Sequence, residues 1–224
     1  MGKFLKLGVS IGDPNGIGLE IIIKAFSHQK TLNEFIAIVY SNVEIIEFHL
    51  AHLKLDLEIN VIKSISESLK GKLNVFEISS SNFKVDFGKS NIQSGDIAFR
   101  SLSTATKHII ENKIDCLVTA PIDKNTIQSK NFEFNGHTEY LTKISNKNNS
   151  LMLMVHQNLK IGVVTNHLSI AQVAEAISEE LILTKIAILE KSLKNDFNIK
   201  NPKIALLGLN PHAGDGGIIG IEEI

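Results

Sequence analysis

Tryptophan is absent from this chain of 224 residues, and cysteine and tyrosine occur only once and twice. A single cysteine rules out a disulfide within the chain. Cys116 lies in the apolar run IDCLVTA, so a small core thiol in a reducing compartment is the expectation. Arg100 is the sole arginine, and 23 basic residues are balanced by 24 acidic ones spread along the chain. No basic tail or stripe marks a nucleic-acid or anionic-membrane surface. No apolar run reaches the roughly 18 residues of a membrane span. The N-terminal MGKFLKLGVSIG is only briefly apolar, is interrupted by charge and carries no small-residue cleavage signature, so the chain reads as cytoplasmic. Low-complexity stretches, fixed-period repeats and Pro/Gly/Ser-rich linkers are also missing.

What remains is a globular composition, 43% hydrophobic and 21% charged, in a chain long enough to bury a core. Short apolar runs alternate with longer segments of helical period, the pattern of an α/β protein whose parallel sheet is covered by helices. Strands are predicted near Leu5 to Ile11, Phe35 to Tyr40, Ile114 to Thr119, Leu151 to His156, Leu159 to Thr165 and Lys203 to Gly208. A buried helix follows the first glycine loop over Gly16 to Phe26. Another, capped by Ser169, is predicted to run through Val173, Ile177 and Leu181 to Leu193. Polar stretches flank a short helix between Pro121 and Ser150, which places a domain crossing there. The division adopted is a first domain over 1–130 and a second over 131–224.

In open α/β sheets, ligands bind beyond the carboxyl ends of the strands. Four loops at such ends are richer in Gly, Pro, Asp, Asn and His than plain turns require: GDPNGIGLE, TAPIDK, TNH and GLNPHAGDGG. The first fits neither G-x-G-x-x-G nor a P-loop. It reads either as a strand-to-helix turn capped by Asp13 or as a ligand site with helix-end amides. His167 and His212 each follow a predicted strand, where one sheet edge would bring them together as a possible metal pair, although a catalytic metal commonly takes three protein ligands. His137 and Thr138 in NGHTEYL would open a helix and either cap it or face a phosphate. Lys124 is a candidate anion contact or an ordinary exposed lysine, and Asp215 a metal assistant or a turn residue. His28, His49, His52, His108 and His156 lack such loop context and are assigned to surface or core.

Read in order, GDPNGIGLE from Gly12, TAPIDK from Thr119, GHTE from Gly136, TNH from Thr165 and GLNPHAGDGG from Gly208 resemble the 4-hydroxythreonine-4-phosphate dehydrogenase family of vitamin B6 biosynthesis. That family carries GDPxGIGxE, T-(G/A)-P-(I/V)-x-K, GHTE and GLNPHAGEGG. Asp123 stands here where Asn is common, and Asp215 where Glu is common. The resemblance implies a two-domain α/β/α architecture similar to isocitrate and isopropylmalate dehydrogenases, a homodimer, NAD as oxidant and a divalent cation such as Zn, Mg or Co. It implies that His167 and His212 bind the metal and that His137 and Thr138 contact the phosphorylated substrate. The reaction implied is oxidation and decarboxylation of 4-hydroxythreonine-4-phosphate to 3-amino-2-oxopropyl phosphate. The family also extends past the position of Ile224, with a third metal histidine and much of the substrate and NAD surface in that extension. A truncated second domain follows, and a noncatalytic metal- or phosphate-binding fragment is the alternative.

Overall fold

The computed structural model describes residues 4–78 and 83–224, and the chain divides into two compact units, Met1–Leu141 and Thr142–Ile224.

The first unit is built on five parallel strands in the order β3-β4-β2-β1-β5. They are β1 (Lys6–Ser10), β2 (Ile36–Ser41), β3 (Ile59–Ile62), β4 (Leu73–Glu77) and β5 (Cys116–Thr119). β1 and β5 lie within the runs predicted and β2 overlaps its run, ending one residue later, whereas β3 and β4 were not predicted. Their sequences, INVI and LNVFE, contain the polar Asn60 and Asn74, which interrupt the apolar run. Asn74 is wholly buried because its side-chain amide donates to Ala37 O and its Oδ1 accepts from Leu69 N and Asn60 Nδ2.

Alternation along β2 splits the core. Ala37 and Val39 face α1 (Gly18–Phe26), α2 (Gln29–Glu34) and α3 (Val43–Leu53), packing with Leu19, Ile22, Leu32 and Ile45. Ile38 and Tyr40 face the other way, toward Ala105 of α4 (Ile92–Ile110), Ile65 and Ile114. Both faces of the central strand are therefore covered, as parallel sheets require. Helix α4 starts cleanly because Asn91 Oδ1 accepts the Ser94 N–H at 2.7 Å, and Lys107 and His108 lie in its last turn, where cations are favoured. Cys116 corrects the sequence reading: it is exposed, because β5 is an edge strand with no described strand beyond it.

The unit closes with α5 (His137–Ile144), whose last residues cross into the second. In the second unit, β6 (Leu153–His156) and β7 (Leu159–Gly162) form an antiparallel hairpin, followed by α6 (Ile170–Ala176) and α7 (Glu179–Asn195). The single long helix predicted from Ser169 is broken: Ile177 is extended, and Ser178 restarts the helix by accepting the Leu181 N–H through its hydroxyl. Ser169 instead donates to the Gln172 side chain. The strand predicted over Lys203 to Gly208 is not formed. Leu206 and Leu207 are exposed, and no described strand lies alongside to take up the backbone hydrogen bonds that would make this stretch a strand. Leu193 is the one buried apolar side chain of this unit among the described residues. Among the described residues, no helix is long and apolar enough to cross a membrane.

Candidate active site

The loops after β1 and β5 lie side by side at the carboxyl edge of the sheet. Gly12 has φ +66, and a Cβ placed on it would lie 2.0 Å from the Pro121 carbonyl oxygen, so only glycine fits there. This close approach lets the Asp13 N–H donate to Pro121 O at 2.9 Å. Asp13 does not cap α1: its Oδ1 accepts from Asn15 N at 2.9 Å, an Asx turn, and Ile17 is the cap.

Asn15, only 2% exposed, joins the turn to the segment before α4. Its amide donates to Lys89 O at 2.8 Å, its Oδ1 accepts from Asp86 N at 2.9 Å, and its carbonyl accepts from Gly88 N at 3.0 Å. Ser90 Oγ then donates to Asp123 Oδ2 at 2.6 Å, and Asn125 N donates to Oδ1. These two bonds, Ser90 first, hold the Asp123 carboxyl below the usual carboxylate range. Behind the turn, buried His49 uses Nε2 to hold the Pro14 carbonyl at 3.1 Å. The segments 12–16, 86–91 and 120–127 form one hydrogen-bonded platform.

His137 heads α5, as the spacing predicted, with Thr138 next to it. One turn on, Tyr140 is anchored among Phe99, Phe132 and Phe134, with ring centroids 5.4 to 6.3 Å from its own, and its hydroxyl lies 3.2 Å from Thr106 Oγ1 of α4. That anchor fixes the first turn of α5. The His137 Nε2 atom is buried and has no hydrogen-bond partner among the described residues. Burial first, and then the Lys124 ammonium, push the His137 imidazole below its ordinary pKa, so it is held neutral. A buried polar nitrogen without a partner is the kind of group a ligand satisfies.

The other predicted residues lie in the second unit. His167 and His212 are exposed and have left-handed backbone angles, φ 52 and φ 53. His212 opens a run of positive φ through Ala213, Gly214, Asp215, Gly216 and Gly217. Glu222 and Glu223 fold back onto this loop through the Asn210 side chain, at 2.7 and 2.9 Å. Among the described residues, no group of three or more His, Cys, Asp or Glu side chains is placed to hold a metal ion. The donors present thus fall short of a complete catalytic metal site.

The family described as Pyridoxal phosphate biosynthetic protein PdxA matches residues 33–224. The chain belongs to the PdxA family. A 4-hydroxythreonine-4-phosphate dehydrogenase of Bacteroides thetaiotaomicron is 38% identical over 98% of this chain, which corresponds to 60% of that protein. A relative from Fusobacterium nucleatum whose name carries D-threonate 4-phosphate dehydrogenase is 31% identical, over 98% of this chain and 66% of its own length. The fold is similar to that of the 4-hydroxythreonine-4-phosphate dehydrogenase of Klebsiella pneumoniae, with a TM-score of 0.84 and 28% identity, covering 100% of this chain and 67% of that one. The chain thus spans about 60 to 67% of the length of these relatives. Members of the PdxA family are dehydrogenases, and the α/β fold predicted from the sequence is that of its solved members.

Sequence reasoning missed Asn15, His49, Ser90 and Tyr140. Asn15 was within reach, since it sits inside GDPNG, but the bonds that give it a role run to residues more than 70 positions away. Among the five histidines assigned to core or surface, His49 and His108 are buried and His28, His52 and His156 are exposed.

Proposed function

We propose that this chain carries the phosphate-binding end, and part of the metal site, of a dehydrogenase acting on a 4-phosphorylated 3-hydroxy acid, with 4-hydroxythreonine-4-phosphate as the substrate. The observation that carries the reading is His137: a half-buried, neutral imidazole whose buried Nε2 is unsatisfied among the described residues, at the first turn of a helix and beside the Lys124 ammonium. A phosphate monoester is close to a dianion at neutral pH. It would accept from the His137 Nε2–H and the Thr138 hydroxyl, while Lys124 supplies the compensating charge. Fixing the phosphate positions the C3 alcohol four bonds away for oxidation.

In the reaction proposed, C3 loses hydride to NAD and its hydroxyl proton to solvent or a base. The carboxylate of the resulting 3-oxo acid leaves as carbon dioxide, and the enolate left behind takes up a proton to give 3-amino-2-oxopropyl phosphate. His167 and His212 are proposed as two ligands of a divalent cation. Because the set on this chain is incomplete, no step is assigned to that cation here. A homodimer in the cytoplasm is the setting that goes with this reading.

A second substrate, D-threonate 4-phosphate, is favoured by the name of the Fusobacterium nucleatum relative. It differs in carrying oxygen rather than nitrogen at C2, and the same oxidation and decarboxylation apply to it. The test is NADH formation by the protein in its full-length context with each substrate in turn. The pair of changes His137→Ala and Thr138→Ala is expected to lower kcat/KM at least about tenfold, the loss of one charge-assisted hydrogen bond. Unchanged kinetics would remove both residues from the site.

A further inference from the structure

Lys124 is the cation beside His137, and the residue before it decides where its side chain starts. The Asp123 carboxylate accepts the Ser90 hydroxyl on Oδ2 at 2.6 Å and the Asn125 N–H on Oδ1 at 2.9 Å. The second of these bonds makes an Asx turn, and Lys124 is the residue that the turn encloses. The Ile127 N–H donates to the Asp123 carbonyl at 3.1 Å and closes the next turn behind it. Both carboxylate oxygens are thus occupied, and among the described residues neither is paired with the Lys124 ammonium.

The partners of Asp123 are anchored in their turn. Ser90 directly precedes Asn91, the cap of α4, and a Cβ on Gly95 in the first turn of that helix would lie 1.9 Å from the Thr126 carbonyl oxygen. Helix α4 and the loop over residues 123–127 therefore touch backbone to backbone. The same loop also reaches the head of α5. Lys124 Cε lies 3.8 Å from the position a Cβ on Gly136 would take, and Glu139 Oε2 lies 3.6 Å from that same position. An ammonium on a flexible four-carbon stem is placed by where its stem begins. Here the stem begins at the Asx turn and ends beside the residue before His137, and after burial it is the Lys124 charge that lowers the His137 pKa.

We infer that Asp123 is a positioning residue: clamped by Ser90 and Asn125, it fixes the root of Lys124 and so keeps that ammonium at the head of α5 for the phosphate of the substrate. The role rests on the reading of His137 and Lys124 as phosphate contacts, whereas the place of the ammonium is measurable without any substrate.

The first measurement is the pH titration of the His137 imidazole in the whole chain by proton–carbon NMR, with its signal identified by its loss in His137→Gln. Lys124→Gln should raise the His137 pKa, because a neighbouring cation is removed. Asp123→Ala should raise it as well, since the root of Lys124 is released, although loss of a carboxylate could by itself only lower it. Asp123→Asn can still accept the Asn125 N–H through Oδ1 and can donate its amide to the Ser90 hydroxyl, so it should return the parent value or one just below it. Ser90→Ala keeps the charge and removes one bond, and it should raise the value. A His137 pKa that stays or falls in Asp123→Ala, or that stays in Lys124→Gln, overturns the inference. In the full-length context, Lys124→Gln and Asp123→Ala should each raise KM for the phosphorylated substrate about tenfold, well beyond any fall in kcat, and the double variant should be no worse than Lys124→Gln alone. Losses that add in the double variant overturn the inference and leave the phosphate reading in place. A parent KM in Lys124→Gln overturns the phosphate reading of Lys124, and with it the role given to Asp123.

Discussion

Replacing Gly12 by alanine should separate the two units of cost that hold the platform together. The first is conformational: φ is +66, and an L residue there costs about 1–2 kcal/mol. The second is steric. The new Cβ would lie 2.0 Å from Pro121 O and 2.8 Å from Ala120 O, both backbone atoms that cannot swing aside as a side chain would. The loops must part, and the Asp13 N–H to Pro121 O bond, 2.9 Å long, is lost for about a further 1 kcal/mol. The expected loss is thus about 2–3 kcal/mol. Gly88 supplies the control: its φ is +72, but a Cβ there would meet nothing within 4 Å. Gly88→Ala should therefore lose only the conformational share, about 1–2 kcal/mol. Urea unfolding followed by far-UV circular dichroism measures both, since the chain has no tryptophan to report by fluorescence. If Gly12→Ala is no less stable than Gly88→Ala, the two loops are not locked together by contact and the platform as described is wrong.

Burial is the first cause that pushes His49, His108 and His137 below the ordinary histidine range. The unfolded chain therefore binds protons more readily, so their contribution is complete above about pH 6.5 and is lost as pH falls through the lowered folded values, by at most about 1.4 kcal/mol per pH unit each. Glu77, raised by burial, runs the other way but is one group against three. A urea midpoint that stays level or rises between about pH 7 and about pH 5 would contradict this. Ser178→Ala should destabilise α7 by about 1 kcal/mol, whereas Ser169→Ala should change stability by less than half of that, because Ser169 makes no capping bond; equal losses in thermal melts would refute the assignment of caps. Cys116 is exposed, with partial burial of its sulfur and then Asp115 raising its pKa. It should react completely with a disulfide reagent in the native chain, at a rate that climbs with pH; a thiol that reacts only after unfolding would restore the core reading.

The α/β class and the start of α5 at His137 were legible because each is written in neighbouring residues. An apolar run bounded by Gly and Pro needs no distant partner to be recognised as a strand entering a turn. Family membership was legible for a related reason, since several such loops in one order are improbable by chance. What the sequence did not carry is who meets whom. Asn15 is a turn residue until Asp86, Gly88 and Lys89 are brought against it, and Tyr140 is one aromatic among many until Phe99, Phe132 and Phe134 close round it. Cys116 and the stretch from Lys203 to Gly208 have the apolar composition of buried strands, yet one sits on a sheet edge and the other has no described strand beside it. Composition states what a segment would gain by burial; whether it is buried depends on the surfaces that the rest of the chain brings to it, because strand pairing and burial are properties of two surfaces rather than one.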